Sequence, residues 1–379
     1  MPTSTTSLPS SASTTTATPT CTTAVPGKYG YVPPEACNAN WSYNPSFSAA
    51  IAFTTLFGLL TLAQITLAFI YRKGFCWVMI MGVLWETLSF IFRALGAHHQ
   101  QSTPYAFAAN LLFLLAPLWI NAFAYMTAGR LIWMFHPAKR VLKVKAMSIG
   151  KYFVWLDIFS FIVQGIGGTM LSPGASASTM KTGKNVYMTG VGVQQLFILL
   201  FIGLIVKFHV EVNQLERNGV VNHAGKRWRW LTYALYAALV LITIRIIYRL
   251  VEFSAGTDVS NPLPYHEGYA LGLDAVPMFL AISILTIIHP GTVLKGPESE
   301  FPSRKERRAE KKAIKAAKKE AKAAKKNGFV GKDIAYSPAY TPAAQSSNEQ
   351  LMQGMPRDVE LGYLAPHPGE QQQSGVARY

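Results

Sequence analysis

Charge is scarce in this chain. Asp, Glu, Lys and Arg together make up 14% of its 379 residues, well below the roughly 25% of a soluble domain. Acid is scarcest, with 19 Asp and Glu against 35 Lys and Arg. Three cysteines are too few for a disulfide-stapled scaffold. Of the eight histidines, only His98-His99 are adjacent, which is a poor metal spacing and argues against a zinc hydrolase. No Gly-rich phosphate loop is visible, which argues against primary ATP-driven transport and leaves no cofactor or metal to expect. Residues 1–26 are almost pure Ser, Thr, Ala and Pro. They lack the basic and apolar regions of a cleavable signal peptide, so the first apolar span is expected to direct insertion.

What the chain has instead is long apolar runs. Windows of about twenty apolar residues place seven spans at Ser48–Tyr71, Trp77–Ala97, Ala106–Phe135, Ile149–Leu171, Met188–Val212, Leu231–Val251 and Tyr269–His289. The fold class expected is an all-α polytopic membrane protein with seven transmembrane helices. Three regions follow: a disordered Ser/Thr-rich tail over 1–47, the helical domain over 48–290, and a tail over 291–379. Lys and Arg number eleven in the first, third and fifth loops against two, Lys181 and Lys184, in the even ones. The asymmetry puts the N-terminus outside and the C-terminus in the cytoplasm.

That orientation gives the flanks chemical meaning. Asn40-Trp41-Ser42 is an N-glycosylation sequon on the outside, about eight residues from the first span. Cys21 and Cys37 also fall outside, where a disulfide persists; two unpaired cysteines in a loose tail are the alternative. On the inside, residues 304–326 carry twelve Lys or Arg against Glu306, Glu310 and Glu320, a net +9. The segment has too little apolar surface to insert deeply. It is expected either to be drawn to anionic inner-leaflet lipid or to act as a solvated, topology-fixing tail. Tethering to a bilayer argues against nucleic acid as its partner.

Within the spans the few ionisable groups are nearly balanced, with Glu86, Asp157, Glu252 and Asp274 against Arg93, Arg245 and Arg249. Each costs a few kcal/mol in lipid unless it faces a partner or a wet cavity. Their spacing is helical. Glu86 and Arg93 share a face, as do Arg245, Arg249 and Glu252. Asp157, Ser160, Gln164 and Gly168 form a stripe on the fourth span, and Asn110, Pro117 and Asn121 one on the third. Asp274 precedes Pro277, which is expected to kink the seventh. Counted from the span ends, Arg93, Gln194, Arg249, Glu252 and Asp274 lie towards the outside, Glu86 and Arg245 near the middle, and Asp157 towards the cytoplasm. Two readings fit: a polar cavity open to the outer leaflet, where arginines suit an anion and acids an amine, or an ion-pair lattice that joins helices. Phe92-Arg93 also resembles Tyr248-Arg249, and Ala116-Pro117 resembles Val276-Pro277, at offsets of 156 and 160 residues. These pairs suit either an internal repeat or coincidence.

These positions carry a resemblance to the fungal RTA-like seven-span proteins, the lipid-translocating exporter family. Glu86 and Arg93 resemble its second span, and Ala116-Pro117, Tyr125 and Gly129-Arg130 its third. Asp157, Gln164 and Gly167-Gly168 match the fourth span, and Gly190 with Gln194 the fifth. Arg245, Arg249, Glu252 and Gly256 match the sixth; Glu267, Asp274 and His289-Pro290 match the seventh. Departures stand at Ser89-Phe90, where Gly-Tyr is usual, at Asn110, one residue off an expected Gln, and at Leu271 in place of Tyr. The resemblance implies a plasma-membrane protein, not an enzyme, that exports or redistributes amphipathic lipids such as sphingoid long-chain bases and confers resistance to membrane-active toxicants. A seven-span receptor-like regulator of lipid flippases or stress signalling is the alternative. The candidate lipid-binding residues are Glu86, Arg93, Asn110, Asp157, Gln164, Gln194, Arg245, Arg249, Glu252, Glu267 and Asp274. Against a rhodopsin, the seventh span has no lysine. Against the common receptors, Met126–Arg130 reads Met-Thr-Ala-Gly-Arg.

Overall fold

The computed structural model describes residues 22–33, 36–171, 176–221, 227–254 and 262–326. Cys21, Lys226, Gly256 and the chain beyond Lys326 lie outside the described residues. Seven helices are long and apolar enough to cross a membrane, and the chain is a multi-pass membrane protein. They are α1 (Phe47–Tyr71), α2 (Trp77–His98), α3 (Thr103–Phe135), α4 (Ala146–Met170), α5 (Ala177–Arg217), α6 (Arg227–Ser254) and α7 (Glu267–Val293).

Local chemistry sets the ends. The Ser46 hydroxyl accepts from Ala49 N at 3.3 Å to cap α1, and Arg72 closes that helix in the left-handed region at φ 49°. Pro104 sits in the first turn of α3, where its missing N–H costs nothing. The α3–α4 link is a hairpin of β1 (Arg140–Val141) and β2 (Val144–Lys145). Its two turn residues, Leu142 and Lys143, both have positive φ, as the strand twist requires.

The fifth helix departs from the sequence reading. It spans 41 residues, roughly 60 Å at helical rise, against a hydrocarbon core of about 30 Å. A hydropathy window sees only its apolar middle. Ser176 caps its start through Thr179 N at 3.2 Å, and Lys207 pairs with Glu211 one turn on at 3.4 Å. Lys181 and Lys184, expected in a loop, are therefore helical.

Each span packs on the next in sequence, α7 returns to α1, and α3 also touches α5 and α6. The buried core runs through the bundle from Phe57 and Phe90 to Phe201, Phe208 and Trp228. Outward faces carry Leu59, Leu62, Phe69, Trp155, Phe159 and Leu200 exposed, a surface suited to lipid and not to water. Small residues let α4 and α5 approach closely. A Cβ on Gly190 would stand 2.9 Å from Gln164 N, and one on Gly183 2.9 Å from the Gly167 oxygen.

The bundle has a second unit after it, beginning at Pro302. Its described part is α8 (Arg304–Lys326), capped by Ser303, whose hydroxyl accepts from Glu306 N at 3.2 Å while Glu306 accepts from Ser303 N at 2.9 Å.

Candidate functional site

Three polar groupings occupy the bundle, and each uses a different set of spans. The first lies where the N-terminal segment meets α2 and α7. Arg93 donates to Glu267 through Nε at 3.1 Å and Nη2 at 3.0 Å, and Nη2 also meets the Tyr43 hydroxyl. The other Glu267 oxygen accepts from Ser46 N at 2.8 Å. The Arg93 guanidinium lies 5.9 Å from the Trp41 ring and 5.3 Å from that of Tyr43, close enough for cation–π attraction. Burial pushes the Tyr43 phenol above its ordinary range despite the opposing charge of Arg93. Trp41 is buried against Ala106 and Ala109, so residues 36–46 are seated on the bundle and do not form part of a free tail.

The same docking occupies the sequon. Asn40 Nδ2 donates to the Gln100 oxygen at 3.2 Å, the atom that a glycan would need. Cys37 N donates to the Thr22 oxygen at 3.2 Å; its expected partner, Cys21, is outside the described residues.

The second grouping is central. Arg245 Nε donates to Asp274 Oδ1, and Arg249 Nη2 lies 2.5 Å from Asp274 Oδ2. Arg249 Nη1 donates to Glu252 at 3.0 Å, and the Tyr248 hydroxyl donates to the same carboxylate at 3.2 Å. Two prolines prepare this cluster. Pro117 has no N–H for the carbonyl four residues back, and that carbonyl, Phe113 O, accepts from Arg245 Nη2 at 3.0 Å instead. In α7 the turn before Pro277 widens to a π-helix over Leu271–Ala275, which makes room for the proline ring and carries Asp274 inward. The kink expected at Pro277 is thus a widened turn.

Glu86, on α2, has 0% exposure. Neither of its oxygens has a hydrogen-bond partner among the described residues. The charges that act on it are those of Arg245 and Arg249 on α6 and Asp274 on α7. It does not pair with Arg93, although the two share a helix face.

The third grouping joins α3, α4 and α5. Asp157 Oδ2 accepts from Asn121 Nδ2 at 3.1 Å and from the Tyr125 hydroxyl at 2.9 Å. Two turns along, Gln164 Nε2 donates to Gln194 Oε1 at 2.9 Å. The α4 stripe ends on Gly167, which is buried, and not on Gly168, which is exposed. Between the second and third groupings lies a cavity of about 40 Å³, lined by Asn121, Gln164, Tyr187, Gln194, Arg245 and Arg249, with Pro117, Phe161 and Ile246 among its apolar walls.

Of the sequence-derived candidates, Arg245 and Arg249 meet Gln164 and Gln194 around that cavity. Asp274 and Glu252 stand behind the two arginines as partners, and Asp157 stands behind Asn121. Arg93 and Glu267 form their own pair, and Asn110 is exposed on the outer face of α3, apart from all of these. Residues not singled out as site candidates also contribute: Tyr43, Tyr187 and the Phe113 carbonyl. No local pattern flags a tyrosine in a polar N-terminal tail, but the orphan carbonyl was implicit in Pro117. Ser89, one of the departures, donates to the Ala109 oxygen at 2.7 Å and ties α2 to α3. The histidines are spread out, with His98 against Tyr29 and Phe47 and His289 stacked on Tyr71.

The family model described as "RTA1 like protein" matches residues 79–297, which takes in α3 to α7 whole and nearly all of α2. "Probable lipid transporter atnI" of Emericella nidulans is 45% identical over 300 residues, 77% of this chain and 78% of that protein. "Protoporphyrin uptake protein 1" of Saccharomyces cerevisiae is 32% identical over 207 residues, 54% of this chain and 65% of that one. "Sphingoid long-chain base transporter RSB1" of the same species is 26% identical over 302 residues, 70% and 78% of the two chains. No solved structure matches. With a family model covering more than half its length and a relative this similar, the chain belongs to the RTA1-like family.

Proposed function

We propose that the protein promotes export or transbilayer movement of amphipathic lipids, sphingoid long-chain bases or related molecules, and that it is a transporter and not an enzyme. The observation that carries this reading is the polar cavity bounded by Asn121, Gln164, Gln194, Arg245 and Arg249 inside a bundle with lipid-facing walls. An amphipathic cargo needs a route for its headgroup through the bilayer, while its tail remains in lipid. At about 40 Å³ the cavity has room for little more than a water molecule, so the headgroup enters as α4 and α5 move away from α3 and α6. The relatives named as lipid and sphingoid long-chain base transporters support this cargo class. The proposed setting is the plasma membrane, with the N-terminus outside and the C-terminus cytoplasmic, where the basic α8 segment meets anionic inner-leaflet lipid.

The test is reconstitution of purified protein into vesicles with a labelled sphingoid base. Gln194→Leu keeps the side-chain size but strands the Gln164 amide. Stranding a buried polar group costs about 1–3 kcal/mol, and transport should fall roughly tenfold or more with the protein still folded. Unchanged transport in this variant removes the cavity from the route. If wild-type protein moves no lipid in vesicles, yet its deletion alters lipid asymmetry in cells, the regulator reading replaces the transporter.

A further inference from the structure

Glu86 stands out because the charges around it do not close with it included. Arg245 and Arg249 balance Asp274 and Glu252, and Arg93 balances Glu267 separately. Two acids are left over: Asp157, which accepts hydrogen bonds from Asn121 and Tyr125, and Glu86. Glu86 has 0% exposure, and both its oxygens are without a hydrogen-bond partner among the described residues. An ionised carboxylate with neither a hydrogen bond nor a counter-ion is strongly disfavoured in a low-dielectric interior. Neutrality therefore requires either a proton on Glu86 or one extra cation beside the cluster.

We propose that Glu86 is a proton-binding site through which the protein exchanges a proton for a cationic, amine-bearing headgroup. This inference rests on the lipid-transport reading and adds an energy source to it. The groups that act on Glu86 are Arg245 and Arg249 from α6 and Asp274 from α7; α1 carries no Asp, Glu, Lys, Arg or His, and α3 only Arg130 near its C-terminal end. Arg245 and Arg249 also line the cavity, so a headgroup arriving there and a proton arriving on Glu86 address the same two guanidinium groups.

With Glu86 protonated, both arginines are held by Asp274 and Glu252. When a protonated amine enters the cavity, the cluster gains one positive charge, and Glu86 restores neutrality by releasing its proton. Glu86 then draws on Arg245, which loosens its hold on Asp274 and leaves that carboxylate to the ammonium group. One proton leaves as one cationic headgroup enters, so the cluster never carries a net charge through the bilayer. Asp274 sits in a π-turn, a local distortion that recurs at functional sites. A pH difference across the membrane then drives the amine from the alkaline to the acidic side.

The experiment uses the full chain, purified in weakly buffered detergent solution with a pH-sensitive dye and sphingosine as the probe amine. Saturating sphingosine should release close to one proton per protein, and Glu86→Gln should release none. Infrared difference spectra of the wild type, which need no variant, should show the loss of a protonated carboxyl band as sphingosine binds. In vesicles, a pH gradient should drive labelled sphingosine to the acidic side with wild-type protein, and Glu86→Gln should abolish that response. Binding without proton release, or release that persists in Glu86→Gln, overturns the exchange alone. Absence of saturable sphingosine binding overturns the cargo reading beneath it.

Discussion

The charge count around Glu86 makes a prediction about stability that needs no transport assay. Asp274→Asn preserves shape but removes the carboxylate that holds both Arg245 and Arg249. Breaking a buried ion pair by deleting one partner costs about 3–5 kcal/mol, because a charge is left uncompensated. Here a replacement acid is at hand: if Glu86 ionises, two arginines again face two carboxylates. The single variant should then lose only about 1–3 kcal/mol, the scale of imperfect hydrogen bonding. Glu86→Gln alone removes an unpartnered carboxyl from a neutral cluster and should change stability by less than about 1 kcal/mol. The double variant leaves two guanidinium groups against Glu252 alone and should lose the full ~3–5 kcal/mol. The coupling between the two sites is thus predicted at about 1–3 kcal/mol, within the range of contacting charges. Melting of the four detergent-purified proteins at one scan rate measures it. At roughly 2–4 °C per kcal/mol, the double variant should melt about 6–20 °C below the wild type. Shifts that add to within about 0.5 kcal/mol would refute the idea that Glu86 belongs electrically to this cluster.

Other consequences can be checked separately. An N-terminal tag should be accessible on intact cells, and a C-terminal tag only after permeabilisation; the reverse pattern would invert the proposed orientation. The isolated peptide 304–326, with net +9, should bind anionic vesicles and lose that binding as salt shortens the Debye length from about 10 Å towards 3 Å. Equal binding to neutral vesicles would contradict a purely electrostatic attraction. Gly190→Val should force α4 and α5 apart, since even a Cβ there would stand 2.9 Å from Gln164 N. A loss of about 1–3 kcal/mol is expected, with weaker transport as the Gln164–Gln194 bond opens; unchanged melting and transport would show that the helices can part freely.

The sequence by itself determined the number of spans and most of their ends, because burying twenty apolar residues in lipid is a local, additive effect that a window can sum. It also located the ionisable residues within the spans, since any such group in a membrane is costly enough to stand out. Tertiary structure decided which of them meet. Glu86 and Arg93 are neighbours on a helix face, yet Arg93 pairs with Glu267, 174 residues on, and Glu86 has no hydrogen-bond partner among the described residues. Pairing depends on the rotation of each helix against its neighbours, and helix periodicity fixes only the residues that share a face, not the face opposite. Asn110 fell outside the cavity for the same reason: a stripe of residues on α3 drifts around the helix, and only packing shows where it leaves the core. The length of α5 and the seating of Trp41 and Tyr43 escaped a hydropathy reading because both rest on specific contacts made by polar segments. Capping, a cation held over aromatic rings and one buried ion pair are not additive along the chain, and they exist only once distant segments have come together.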